Sequence, residues 1–99
     1  MRDRILKVLS ASIADLNAAW GNPALNDVGE DTRLFGPGGN LDSLALVSLI
    51  TEVETRLHEE FGVDVVLADE SAMSQKVSPF RSVRALASHV EKLVQGAAA

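Results

Sequence analysis

Leu41-Asp42-Ser43-Leu44 follows the glycine-rich stretch Phe35-Gly36-Pro37-Gly38-Gly39-Asn40 and opens a strongly apolar run that continues through Ile50. The spacing within that run decides the fold. Leu44, Val47, Ile50, Val53, Leu57 and Phe61 recur every three or four residues, which is one stripe of a helix. The helix is therefore expected over residues 43–61. Ser43 is a natural N-cap, Asp42 sits favourably at the positive helix end, and Gly62 closes the other end. Leu46 and Leu49 lie off the stripe. They complete the core, or one of them lines a cleft beside a short third helix. A serine hydroxyl thus stands at the exposed first position of a helix, with a carboxylate just before it.

Working outward, Ile5, Val8, Leu9, Ile13, Leu16 and Trp20 give one face of a first helix over 2–20, which Gly21-Asn22-Pro23 stops. Residues 21–42 form a long connection rich in Gly, Asn, Asp and Pro. A connection of that length is functional or packed by its own apolar residues, and Leu34 and Phe35 are expected to pin it to the core. Residues 63–67 are apolar but have no partner strand, so they read as an extended connection into a short helix over 68–73. A polar loop with Ser78-Pro79 leads to Ser82, which caps a last helix over 82–95. Val83, Leu86, Ala87, Val90, Leu93 and Val94 form its apolar face, Gly96 ends it, and the alanine tail frays. The expected fold is all-α: one domain, a small four-helix bundle with three long helices, one short helix and a long first loop.

Composition narrows the chemistry. A chain of 99 residues buries somewhat over ~60% of its unfolded surface, enough for one modest core and not for a deep catalytic cavity. The formal charge of −5 argues against nucleic acid and against anionic membrane surfaces, both of which select Lys and Arg. It favours partners with basic docking patches. With no cysteine there is no disulfide, thiolate nucleophile or cysteine-held zinc. No apolar run approaches the ~18 residues of a membrane span. The start Met1-Arg2-Asp3-Arg4 leads into an amphipathic segment rather than a signal peptide, so a cytoplasmic protein is expected.

Asp42-Ser43-Leu44 at the head of the second helix, after a long glycine-containing loop, resembles the attachment motif of the acyl and peptidyl carrier proteins. The similarity extends over most of the chain: the helix before the loop, the Phe61-Gly62-Val63 break, a short third element with Asp69-Glu70, and a final amphipathic helix follow in the family's order. The resemblance implies a bundle of acyl-carrier type that is not itself an enzyme. It implies that Ser43 carries 4′-phosphopantetheine, added from coenzyme A by a phosphopantetheinyl transferase, with Asp42 and Leu44 as the flanking positions that partners contact. Further partners would be an acyl- or aminoacyl-loading enzyme and a downstream transferase or synthase, in fatty acid, polyketide or nonribosomal peptide synthesis. The physical logic stands beside the name: a rigid helix N-terminus presents the hydroxyl, and its dipole suits a phosphodiester.

The chain departs from the commoner pattern in its docking face. Many carriers of fatty-acid enzymes crowd acidic residues along the second helix. Here the positions expected to be exposed just after the serine are Ala45, Ser48 and Thr51, which with Leu44 would form the docking face, and Glu52, Glu54 and Glu59 come further on. That face suits a dedicated, free-standing, monomeric carrier with its own partners. Residues 74–81 also look longer than the usual connection, and Lys76, Arg81 and Arg84 place positive charge there.

Asp42-Ser43-Leu44 is also similar to the Gly-Asp-Ser-Leu serine hydrolases. A nucleophilic serine needs a positioned base and an oxyanion hole. Those enzymes carry a late Asp-x-x-His, but Thr55 and Leu86 precede His58 and His89 by three residues. His58, among glutamates, reads as a surface residue, and His89 as peripheral. Neither has a second ligand at metal spacing, and Asp64, Asp69 and Glu70 lack the calcium-loop pattern. Trp20 reads as a partly buried cap on the first helix, without a cofactor role. The alternative from another class is an acidic helical interaction module without a prosthetic group. On the carrier reading, Ser43→Ala should lose a cap worth ~1 kcal/mol and abolish loading.

Overall fold

The structure is a computed structural model and describes residues 1–36, 38–68 and 78–98. The short helix expected over 68–73 and the expected polar loop fall largely on residues outside this set. Among the described residues three α-helices carry the fold: α1 (Arg2–Trp20), α2 (Ser43–Phe61) and α3 (Val83–Ala98), with a 3-10 turn, Pro23–Leu25, after α1. No strand occurs among the described residues, only isolated bridges between Arg33 and Ser82 and between Phe35 and Leu41. The chain is a small helical bundle with a radius of gyration of 12.5 Å, close to the ~13 Å of a folded chain of about this length.

Helix α1 packs against both α2 and α3. It buries Ile5, Val8, Leu9 and Ile13, the expected stripe, and leaves Leu16 and Trp20 half-buried. From α3 come Val83, Leu86, Ala87, Val90 and Val94. The contribution of α2 is Leu49, Val53 and Leu57, all without exposed surface. Here the structure corrects the expected stripe. Leu44 is 77% exposed and Val47 59%, so the core face is the one led by Leu49. The start of α2 is apolar on most sides, and local spacing cannot choose between two stripes that share Val53 and Leu57. Packing chooses, because burying Leu49 with Val53 and Leu57 turns Leu44 and Val47 outward.

The ends of the helices follow local chemistry. Gly62 closes α2 in the left-handed region at φ 68°, with its N–H donating to the His58 carbonyl at 2.9 Å. Ser82 Oγ accepts from the Ala85 N–H at 3.1 Å, the expected cap of α3. Gly96 does not end α3, which continues to Ala98. A glycine costs a helix only about 1 kcal/mol relative to alanine, and the residues after it are alanines, the best helix formers.

The long first connection is sewn to the start of α3. The Leu34 and Phe35 N–H groups donate to the Arg81 and Phe80 carbonyls at 3.0 and 2.9 Å. In return the Val83 and Arg84 N–H groups donate to Thr32 and Glu30 at 3.0 and 2.9 Å. Leu25, Leu34 and Leu41 are buried and Phe35 is half-buried, so the loop is packed by its own apolar residues. Leu67 ties α2 to α3. Its N–H donates to Glu54 Oε2 at 2.9 Å, and its carbonyl lies 2.8 Å from His89 Nε2. A carbonyl only accepts, so His89 Nε2 carries the proton. His89 is 5% exposed and stands edge-on to Phe80, at 6.2 Å between ring centres. It is a buried strut and not the peripheral residue its sequence neighbours suggest.

Candidate functional site

The glycine-rich turn sets where α2 begins. The Leu41 N–H donates to the Leu34 carbonyl at 2.9 Å, which brings Leu34 and Leu41 together in a bend. Gly39 sits inside this bend. A Cβ there would meet the Leu34 carbonyl oxygen at 2.3 Å, so the close approach admits only glycine. Leu41 is 8% exposed and anchors the chain just before it enters α2.

An asparagine relay reinforces the same corner. Asn17 is buried on α1, and its Nδ2 donates to the Asn22 carbonyl and to Asn26 Oδ1, each at 3.0 Å. Asn22 in turn donates its backbone N–H to Asn17 Oδ1 at 3.0 Å, and its Nδ2 reaches the Asn40 carbonyl at 3.4 Å. Asn40 Nδ2 donates to the Arg33 carbonyl at 2.8 Å. The end of α1, the long loop and the residue before Leu41 are therefore one polar lattice. Sequence reasoning passed over it, although Asn17 stood out as a polar residue four positions after Ile13 on a buried face.

At the head of α2 the cap is Asp42, not Ser43. The Asp42 carboxylate accepts the Ala45 N–H at 2.8 Å from an extended backbone, and its carbonyl accepts the Leu46 N–H at 2.9 Å. Ser43 is the first helical residue. Asp and Ser are about equally good caps, and the extended backbone falls on Asp42, whose charge also suits the positive helix end. Ser43 is exposed, and among the described residues its hydroxyl makes no hydrogen bond. The N–H groups of Ser43 and Leu44 likewise have no acceptor among the described residues. Free first-turn N–H groups at a helix N-terminus favour an anion.

Among the described residues no base is set against the serine. His89 Nε2 is held by the Leu67 carbonyl, and His58 Nδ1 lies 2.8 Å from Asp64 on the surface. Among the described residues no group of His, Asp and Glu is arranged to hold a metal ion. Nor, among the described residues, is any helix long and apolar enough to cross a membrane.

The face beside Ser43 differs from the one expected. Of Ala45, Ser48 and Thr51, only Thr51 is exposed, and its hydroxyl donates to the Val47 carbonyl at 3.1 Å. Ala45 and Ser48 are half-buried and face a cleft toward Trp20. The surface that accompanies Ser43 outward is Leu44, Val47 and Thr51, on the side of α2 opposite Leu49 and Val53. The cleft itself has a volume of about 410 Å³ and lies between the end of α1 and the first turns of α2, with Asp42 and Leu44 at its edge. A larger cleft of about 580 Å³ lies elsewhere between α1 and α2. Its arginines are already engaged, Arg4 with Glu60 and Arg56 with Glu52 and Asp15.

No family model matches the chain, and neither a curated protein nor a solved structure is significantly similar to it.

Proposed function

We propose that this chain is a carrier protein of the acyl or peptidyl type, with 4′-phosphopantetheine joined to Ser43 through a phosphodiester. The finer reading of the fold, a four-helix bundle of acyl-carrier type, belongs to the same proposal. The observation that carries it is the serine itself: an exposed hydroxyl on the first residue of a rigid helix, where neither that hydroxyl nor the first N–H groups have a partner among the described residues.

In loading, Ser43 Oγ forms the new bond to phosphorus. The pyrophosphate bond of coenzyme A breaks, adenosine 3′,5′-bisphosphate leaves, and the serine proton passes to a base on the transferase. The residues of this chain supply position and field. Asp42 locks the first turn through Ala45, and the helix N-terminus favours the phosphodiester charge by about 0.3–1 kcal/mol. Leu41 and the Gly39 bend fix where that turn stands. Once attached, the arm's thiol holds cargo as a thioester that partner enzymes displace.

Leu44, Val47 and Thr51 form the docking face for the transferase, the acyl- or aminoacyl-loading enzyme and the downstream transferase or synthase. Two large aliphatic side chains left exposed beside the reactive position are a cost to solubility that partner binding explains. The same pair also suits the second reading, an acidic helical interaction module without a prosthetic group.

Intact-protein mass separates the two. After incubation with coenzyme A and a transferase of broad specificity, the wild type is expected to gain one phosphopantetheine and Ser43→Ala none. A folded wild type that gains nothing favours the interaction module.

A further inference from the structure

The cleft beside Ser43 has the wrong character for a core defect and the right one for a tethered ligand. Leu25, Leu41 and Leu44 give it an apolar lining, and Trp20, Asn40 and Ser48 line it as well. Among the described residues the indole N–H, Asn40 Oδ1 and Ser48 Oγ make no hydrogen bond, although Asn40 Nδ2 is used by Arg33. Ser48 differs in this from Thr51 and Thr55, whose hydroxyls fold back onto the preceding helical turn. Residues with an open donor, acceptor and hydroxyl therefore line a partly apolar cleft of about 410 Å³, within the size range of small-molecule sites.

We propose that this cleft is the resting site of the arm carried on Ser43, which alternates amide groups with short aliphatic segments. The inference rests on the attachment reading above. Its occupant is argued from continuity, since Asp42 and Leu44 border the cleft and flank the attachment residue in sequence. A short flexible tether gives a local concentration on the order of millimolar, so even millimolar intrinsic affinity docks about half of the arms. Such weak docking suits a carrier, because a partner enzyme has to draw the arm out again. The asparagine relay through Asn17, Asn22 and Asn40 holds the cleft open in advance.

The chain supplies its own reporters. Trp20 is the sole tryptophan, and the absence of cysteine makes the arm's thiol the only thiol in the loaded protein. Apo and loaded protein are compared after loading is verified by intact mass. Docking predicts that the single indole N–H cross-peak shifts in a proton–nitrogen correlation spectrum. It also predicts that acrylamide quenching of Trp20 falls by roughly twofold, in line with half-occupancy. A nitroxide placed on the thiol should broaden the indole signal, and reduction of the nitroxide should restore it. Ser43→Ala put through the same treatment should show none of these changes. A full mass gain with unchanged quenching and an unbroadened indole signal overturns the docked arm and leaves the attachment reading intact. Absence of a mass gain overturns the attachment, and the resting site with it.

Discussion

The two halves of α2 share large aliphatic side chains and put them to opposite use. In the C-terminal half, Val53 and Leu57 are buried against the core, Glu54 binds the Leu67 N–H, and Arg56 is paired with Glu52 and Asp15. In the N-terminal half, Leu44 and Val47 are exposed, Ser43 has no partner among the described residues, and the Asp42 cap and Leu49 help hold this half to the rest. One half is closed on itself and the other is left open toward a ligand. The lesson is that hydrophobicity alone does not mark the core. Leu44 and Leu57 are the same side chain, and only position relative to Leu49 and Val53 separates a core residue from a docking residue.

The sharpest way to break this comparison is to truncate both leucines. Leu57→Ala should cost about 2–5 kcal/mol in urea unfolding, because it empties a site with no exposed surface. Leu44→Ala should stay within about 0.5 kcal/mol of wild type, yet slow loading by the transferase. Equal losses of stability would refute the division of the helix.

Gly39→Ala comes next. Its Cβ would collide with the Leu34 carbonyl oxygen, and overpacking of this kind costs about 1–3 kcal/mol. The strain should also shift the amide resonances of Leu41 and Ser43, since the bend sets the start of α2. A shift confined to residues 36–40 would show that the bend does not position the serine.

The cap gives a smaller contrast. Asp42→Ala should lose about 1 kcal/mol, with the Ala45 amide becoming faster in hydrogen exchange. Ser43→Ala should change stability by only a few tenths of a kcal/mol, because alanine is the better helix former at a position that caps nothing. Loading should respond in the reverse order of importance, abolished by Ser43→Ala whatever the state of the cap.

What the sequence made legible was local. The ranges of α1 and α2 follow from spacing and from Gly21 and Gly62, and the Ser82 cap follows from one hydroxyl before an apolar run. Ser43 itself was marked by the motif around it. What stayed hidden was tertiary. The facing of α2 depends on which of two stripes α1 accepts. The burial of His89 depends on a carbonyl at Leu67, reached only after the chain has turned between α2 and α3. The Trp20 cleft is assembled from the end of α1, Leu25, Asn40 and Ser48, which no window of the sequence brings together. The register of the cap was also missed, because Asp42 and Ser43 are both good N-caps and local preference does not rank neighbours.

The central claim is that one hydroxyl at the head of α2 accepts the arm. The most direct test is to load the protein with a phosphopantetheinyl transferase, digest it with trypsin, and fragment the peptide that runs from Leu34 to Arg56. That peptide holds Ser43, Ser48, Thr51 and Thr55, so it lets the modification choose among four hydroxyls. The account predicts phosphopantetheine on Ser43 alone. Modification at any of the other three, or an unmodified peptide from folded protein, would contradict it.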